Sequence, residues 1–198
     1  MRILPDEAEF YGVNGDGRTD AYQQLLSAFD FENEAAACDK LDELVLQSGC
    51  FNIHREIRGY YVHIRPGCDS KRPRIDRILS PTAKLLDAGW PHGPLGIECK
   101  TSGKKMGRCI TQAENYGDAV WEMPRGYLCY LRWIFIWPLD GAKGDLGSVM
   151  AQNRIGYLTS SNRCILQFGC GGTVGIRCNS DGTVQAKELA MGNKLGSR

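Results

Sequence analysis

The sequence predicts an α/β fold: a central mixed β-sheet flanked by helices over about residues 21–138, followed by a small β-rich extension over about 139–198. Three observations carry this. Helical spacing of apolar residues before position 50 and over 105–121 is interrupted by short runs with strand character, RIDRILSP at 74–81 and PLGIECK at 94–100. CYLRWIFIW at 129–137 is apolar enough to be buried on both faces, which predicts a central strand. From Asp140 onward the chain breaks into strand-like pieces, and the Asp-Gly in NSDGT at 179–183 favours a tight hairpin.

Taken in order, residues 6–20 are turn-rich. NGDGRTD at 14–20 looks like half of a calcium loop but lacks the closing bidentate Glu, so it reads as a surface turn leading to a helix N-cap at Thr19 or Asp20. Ala21 to about Gln47 reads as one or two helices with Leu41, Leu44 and Val45 in the apolar stripe, and Gly49 is the predicted stop. FNIHREIRGYYVHIRP at 51–66 reads as a strand or a hairpin with Arg58-Gly59 near its middle. RIDRILSP is a second strand ended by Pro81, TAKLLDAGWPHG a short helical turn and loop, and PLGIECK a third strand. Met106, Cys109, Ile110, Ala113, Gly117 and Val120 form one side of the helix predicted over 105–121. A short helix over 142–153 precedes GYLTSS, CILQFG, TVGIRCN and TVQAKEL, which pack on or extend the main sheet. No repeat or linker divides residues 1–198, which are read as a single domain.

A net charge of +1 offers no global field for a polyanion, so any nucleic-acid affinity must come from local basic clusters. Lys71, Arg72, Arg74 and Arg77 form one cluster, and Lys100, Lys104, Lys105 and Arg108 another. The nine cysteines are odd in number, lack a Cys-x-x-Cys pair and often fall in apolar runs, which suits reduced core thiols and a reducing, cytoplasmic compartment. Cys164, Cys170 and Cys178 lack the paired knuckle of a zinc site, and His54, His63 and His92 lack metal-ligand spacing. MRILPDEAEF has no secretory-signal pattern, and the longest apolar run is far short of the roughly 20 residues a membrane helix needs. No membrane partner is expected.

The candidate chemistry lies in GIECKTSGKKMGRCITQAENY at 96–116. Strand alternation places Glu98 and Lys100 on one face, with Leu95, Ile97 and Cys99 on the other. Asp76 adds a second carboxylate if its strand pairs with that of Glu98. Two converging hard oxygen donors suit Mg²⁺ or Mn²⁺, and an adjacent lysine can orient a water or help deprotonate it. Gln112 and Tyr116, four apart on the following helix, share a flank beside its apolar stripe.

Asp76, then Glu98-Cys99-Lys100, then Gln112-Ala113-Glu114-Asn115-Tyr116 resemble, in order and approximate spacing, the PD-(D/E)XK nuclease superfamily. The Gln-x-x-x-Tyr helix is similar to its RecB-like and lambda-exonuclease-like branch, and the match spans about residues 40–137. The local text is Pro73-Arg74-Ile75-Asp76, so the Pro of the family's name does not directly precede the Asp. The resemblance implies a restriction-endonuclease-like core and metal-dependent hydrolysis of DNA, RNA not being excluded. It makes Asp76 and Glu98 the ligands of Mg²⁺ or Mn²⁺ with the Cys99 carbonyl as a further ligand. Lys100 would serve the nucleophilic water, and Gln112 and Tyr116 the DNA backbone or the support of the site. An upstream acidic ligand is also implied, Glu43 first and Glu56 second. Lys104, Lys105, Arg108 and Arg74 are the candidate phosphate contacts, the first three at a helix N-terminus whose amides would reinforce them. A homo-oligomer and an origin in a phage or bacterial mobile element accord with the resemblance by analogy. Two other classes stay open: a non-catalytic nucleic-acid-binding or interaction module on the same fold, and a structural zinc protein.

Overall fold

The computed structural model describes residues 31–61, 72–90, 93–101, 106–139, 149–170 and 174–188. Helix α1 (Glu34–Ser48) starts where the Asn33 side chain accepts a hydrogen bond from the Ala36 amide at 2.9 Å, and it stops at Gly49, whose φ of 64° is left-handed. A side chain at 49 would be strained there, so the predicted stop has a conformational cause. The last turn of α1 carries no basic residue; Lys84 of helix α2 (Ala83–Asp87) instead donates its Nζ to the Ser48 carbonyl at 2.9 Å.

Among the described residues, ten strands follow one order of hydrogen-bonded neighbours, β10-β9-β8-β7-β6-β3-β2-β1-β4-β5. Their ranges are β1 (Phe51–Tyr61), β2 (Arg74–Pro81), β3 (Leu95–Cys99), β4 (Ala119–Glu122), β5 (Leu128–Tyr130), β6 (Ile134–Trp137), β7 (Ile155–Ser161), β8 (Cys164–Cys170), β9 (Val174–Asn179) and β10 (Val184–Glu188). The β3–β6 and β6–β7 pairs are parallel and the rest antiparallel, so the sheet is mixed, as the sequence predicts. Helix α1 covers one face through Ala37, Cys38, Leu41 and Val45, which pack with Leu95, Ile97, Phe135, Trp137 and Phe168. Helix α3 (Met106–Gly117) covers the other through Cys109, Ile110, Ala113 and Tyr116, against Ile75, Ile134, Ile136 and Ile155. β3 therefore alternates as expected, Leu95, Ile97 and Cys99 toward α1 and Gly96 and Glu98 toward α3.

One alternative resolves and two expectations need correction. Of the strand or hairpin expected over 51–66, the described part is one long strand: Phe51–Arg58 pairs with β2 and Gly59–Tyr61 with β4, the change of partner following Glu56 at φ 52°. Gly59 permits that change, because a Cβ there would lie 2.6 Å from the Val120 carbonyl oxygen and 2.9 Å from the Trp121 ring. The helix predicted to run to 121 ends at Gly117, and the β-favouring Val120-Trp121 pair is spent on β4. Finally, 129–137 is two strands: the chain bends at Arg132, which stays exposed between buried Leu131 and Trp133, so β5 lies at the sheet edge and only β6 is central. An in-out-in burial pattern reads as strand whether or not the backbone bends within it.

The tail extends the sheet, β7 joining β6 in parallel and β8 to β10 following antiparallel, with the Asp-Gly turn closing at Gly182, φ 85°. Of the helix predicted over 142–153, residues 149–152 are helical and 142–148 lie outside the described residues. The 6–20 turn, the 21–30 part of the first predicted helix, Cys68, Lys71, His63, His92, Lys104 and Lys105 also lie outside them. No described helix is long and apolar enough to cross a membrane.

Candidate metal centre

The antiparallel ladder between β2 and β3 pairs Leu79 with Leu95, Ile78 with Gly96 and Arg77 with Ile97. One step further a side chain takes over, the Asp76 Oδ2 accepting the Cys99 amide proton at 2.8 Å. The Asp76 carboxylate is thereby inserted beside Glu98, where its charge raises the Glu98 carboxyl. Arg77 fixes this stretch of β2 from the α1 side. Its Nε and Nη2 reach the two Asp42 carboxylate oxygens at 2.7 and 3.2 Å, and its Nη1 donates to the Asp76 carbonyl at 2.8 Å.

Glu98 is 3% exposed and Lys100 6%. Lys100 Nζ donates to Glu98 Oε1 at 2.6 Å, while Glu98 Oε2 is buried without a hydrogen-bond partner. A buried carboxylate oxygen in that condition carries a desolvation cost and points to an ion or a proton as its missing partner. Burial first, and the Asp76 charge second, push the Glu98 carboxyl up to about 8 against the pull of Lys100. Burial also raises Asp76, opposed by the Cys99 amide and Lys100. Burial works to lower Lys100, but the Glu98 carboxylate outweighs it and the ammonium is held protonated.

Of the two upstream acids expected, the first choice does not reach the site. Glu43 stands 65% exposed and pairs with Lys40 at 2.8 Å, one position round the helix from the buried Asp42. Glu34, in the first turn of α1, instead brings its Oε1 to 3.8 Å from Lys100 Nζ. The signal was available: Glu34, Cys38, Leu41 and Val45 fall at helical spacing on one stripe, and the residue before Glu34 is an Asn suited to capping. Glu56, the second choice, bonds Arg74 Nε at 2.9 Å and lies close enough to Asp76 to raise its carboxyl further.

Gln112 and Tyr116 do meet, Gln112 Nε2 donating to Tyr116 Oη at 2.7 Å, but the pair is no open polar flank. Tyr116 is buried edge-on to Trp121 and donates its hydroxyl proton to the Arg74 carbonyl at 2.7 Å. Burial first and the Glu98 charge second raise the phenol, so α3 is tied to β2 two residues before Asp76 and within the field of Glu98. Arg74 and Arg108 are exposed, Arg74 already paired with Glu56. Arg72 bonds Glu122 and Arg77 is committed to Asp42, so each described arginine of the first basic cluster already has an acidic partner.

A second donor group was missed. Cys38 Sγ, Cys99 Sγ and an Asp76 oxygen lie within 4.8 Å of one another, on the α1 side of the same carboxylate. Cys38 is on a helix more than 60 residues before Cys99, a distance no local motif signals. The eight described cysteines are all free thiols, seven of them buried. Cys164, Cys170 and Cys178 do not gather around a point: Cys170 donates to the Ile155 carbonyl at 3.0 Å and Cys164 to that of Leu166 at 3.0 Å. His54 bonds the Ser80 hydroxyl at 3.0 Å. No protein-family model, curated protein or solved structure matches this chain, so the site rests on its own geometry.

Proposed function

We propose that this chain is a metal-dependent deoxyribonuclease of the PD-(D/E)XK type, with a restriction-endonuclease-like core. The observation that supports it best is the meeting of Asp76, Glu98 and Lys100 at one point of β2 and β3, around a buried Glu98 oxygen that has no partner. The donors are hard oxygens, which fit Mg²⁺ or Mn²⁺, and Asp76 and Glu98 would hold the ion with the Cys99 carbonyl beside them. Such an ion, when bound, acidifies a water and offsets charge on the phosphate.

The chain's own groups do the rest. Asp76 is held by the Cys99 amide and braced through Arg77, so its position does not depend on the ligand. Lys100, kept as an ammonium, orients the attacking water and neutralises the phosphate rather than abstracting a proton. Glu34 shares that ammonium and is the acidic residue placed to join the site from α1. Gln112 and Tyr116 act as a brace between α3 and β2.

The test is cleavage of linear, circular, single-stranded and branched DNA in Mg²⁺ or Mn²⁺. Asp76→Ala, Glu98→Ala and Lys100→Ala should each abolish it with circular dichroism unchanged; full activity in all three would end the assignment. A non-catalytic module has one observation in its favour, that Lys100 already occupies one oxygen of a deeply buried Glu98. Calorimetry separates the two, since the module predicts no Mn²⁺ binding that depends on Asp76 or Glu98.

A further inference from the structure

Register carries the Glu98 position across half the sheet. Glu98 pairs with Ile136, Ile136 with Tyr157, Tyr157 with Gly169, Gly169 with Gly175, and Gly175 with Lys187. Residues directly paired on neighbouring strands point to the same face. The row therefore runs on the Glu98 side, and a parallel row beside it joins Gln167, Arg177 and Gln185. The opposite face of these strands is filled by core residues such as Leu166, Phe168 and Ile176.

On the Glu98 side no described helix covers β8 to β10. Arg177, Gln185 and Lys187 are exposed, and with Tyr157, Gln167 and the two glycines they line a concavity of about 310 Å³. Its floor is bare backbone at Gly175. A Cβ at Gly169 would lie 2.3 Å from the Tyr157 ring, which covers that residue, whereas nothing stands within 4 Å above Gly175. Two cations and two side-chain amides surround the floor, and no carboxylate is among the described lining residues. Five strand spacings of about 4.8 Å separate Glu98 from Lys187, about 24 Å in all, and α3 packs on the same face between them, over Ile136.

We propose that this face is an accessory site for the sugar-phosphate backbone of DNA, gripping the duplex on one side of the phosphodiester held at Asp76 and Glu98. Its occupant rests on the nuclease reading. Arg177 and Lys187 pair with phosphates, Gln167 and Gln185 donate to phosphate or sugar oxygens, and the uncovered Gly175 lets the backbone approach closely. Contacts of this type hold without reading sequence.

Binding is measured by anisotropy of a labelled duplex several helical turns long, in EDTA so that no cleavage intervenes. Arg177→Glu with Lys187→Glu should weaken binding at least tenfold at low salt. Arg177→Ala with Lys187→Ala, which adds no new charge and decides the matter if the reversal misfolds, should lower the slope of log affinity against log salt by about two, near 0.9 per lost phosphate contact. Mn²⁺ calorimetry on the same variants, matching the wild type, certifies the fold. Unchanged affinity and slope overturn the proposal. So does a wild-type dimer that the reversal converts to monomers without loss of DNA affinity, since the face would then join two copies of the chain. The nuclease reading fails on a different result, retention of cleavage by Glu98→Ala, which leaves the EDTA measurement standing by itself.

Discussion

Replacing Glu98 by Gln should make the metal-free protein more stable, and increasingly so as pH rises. The carboxyl at 98 is pushed up from 4.5 to about 8 by burial and then by Asp76. The folded chain thus holds that proton more tightly than the unfolded chain, and the stability this confers is complete below pH 4.5 and is lost as pH rises to about 8. At about 1.36 kcal/mol per pH unit, the whole interval from 4.5 to about 8 amounts to about 5 kcal/mol. Gln copies the shape and neutrality of the protonated acid, and Lys100 faces a neutral partner in both proteins at low pH. The two stability curves should therefore nearly coincide at acid pH and diverge above it. Between about pH 5.5 and about pH 8.5 the advantage of Glu98→Gln should widen by about 3 kcal/mol, read from urea denaturation in EDTA with unchanged slope. Excess Mn²⁺ should raise the stability of the wild type and not of the variant. Curves that stay parallel across this range would refute the claim that Glu98 is forced to ionise in a dry site.

Other perturbations probe the frame around that site. Asp42→Ala strands the buried Arg77 guanidinium and should cost about 3–5 kcal/mol in chemical denaturation, whereas Glu43→Ala, one residue on, should change stability by less than about 0.5 kcal/mol. Tyr116→Phe leaves the Arg74 carbonyl and the Gln112 amide without their shared partner, for a loss of about 1–2 kcal/mol measured the same way. Gly156→Ala should destabilise by about 1–3 kcal/mol or more, because the new methyl would lie 2.3 Å from the Phe135 ring and 2.7 Å from the Gly169 carbonyl oxygen. Glu34→Gln should weaken Mn²⁺ affinity in calorimetry while Glu43→Gln leaves it as it was.

Where the sequence was legible, local physics dictated the answer. RIDRILSP became β2 residue for residue, Gly49 stopped α1 because only the left-handed region continues the chain there, and the Asp-Gly turn closed β9 on β10. The sharing of one face by Glu98 and Lys100 follows from strand alternation alone, and the β2–β3 pairing that adds Asp76 joins two strands consecutive in the chain. What escaped was decided by tertiary contact. Glu34 and Cys38 reach the site because α1 docks on β3, which helical spacing permits but does not require. Tyr116 looked polar by its hydroxyl and was buried by its ring, its one polar atom satisfied at Arg74. The break at Arg132 was invisible because alternation is the same on either side of a bend.

The bond from the Cys99 amide to Asp76 makes one main-chain proton an informant on the carboxylate's occupancy. Solvent deuterium can replace that proton only when the bond opens, so whatever draws Asp76 away from or toward residue 99 alters the replacement rate at a single, addressable backbone position. If a cation binds beside Asp76, the exchange rate at residue 99 would register its arrival and departure with the sequence unaltered.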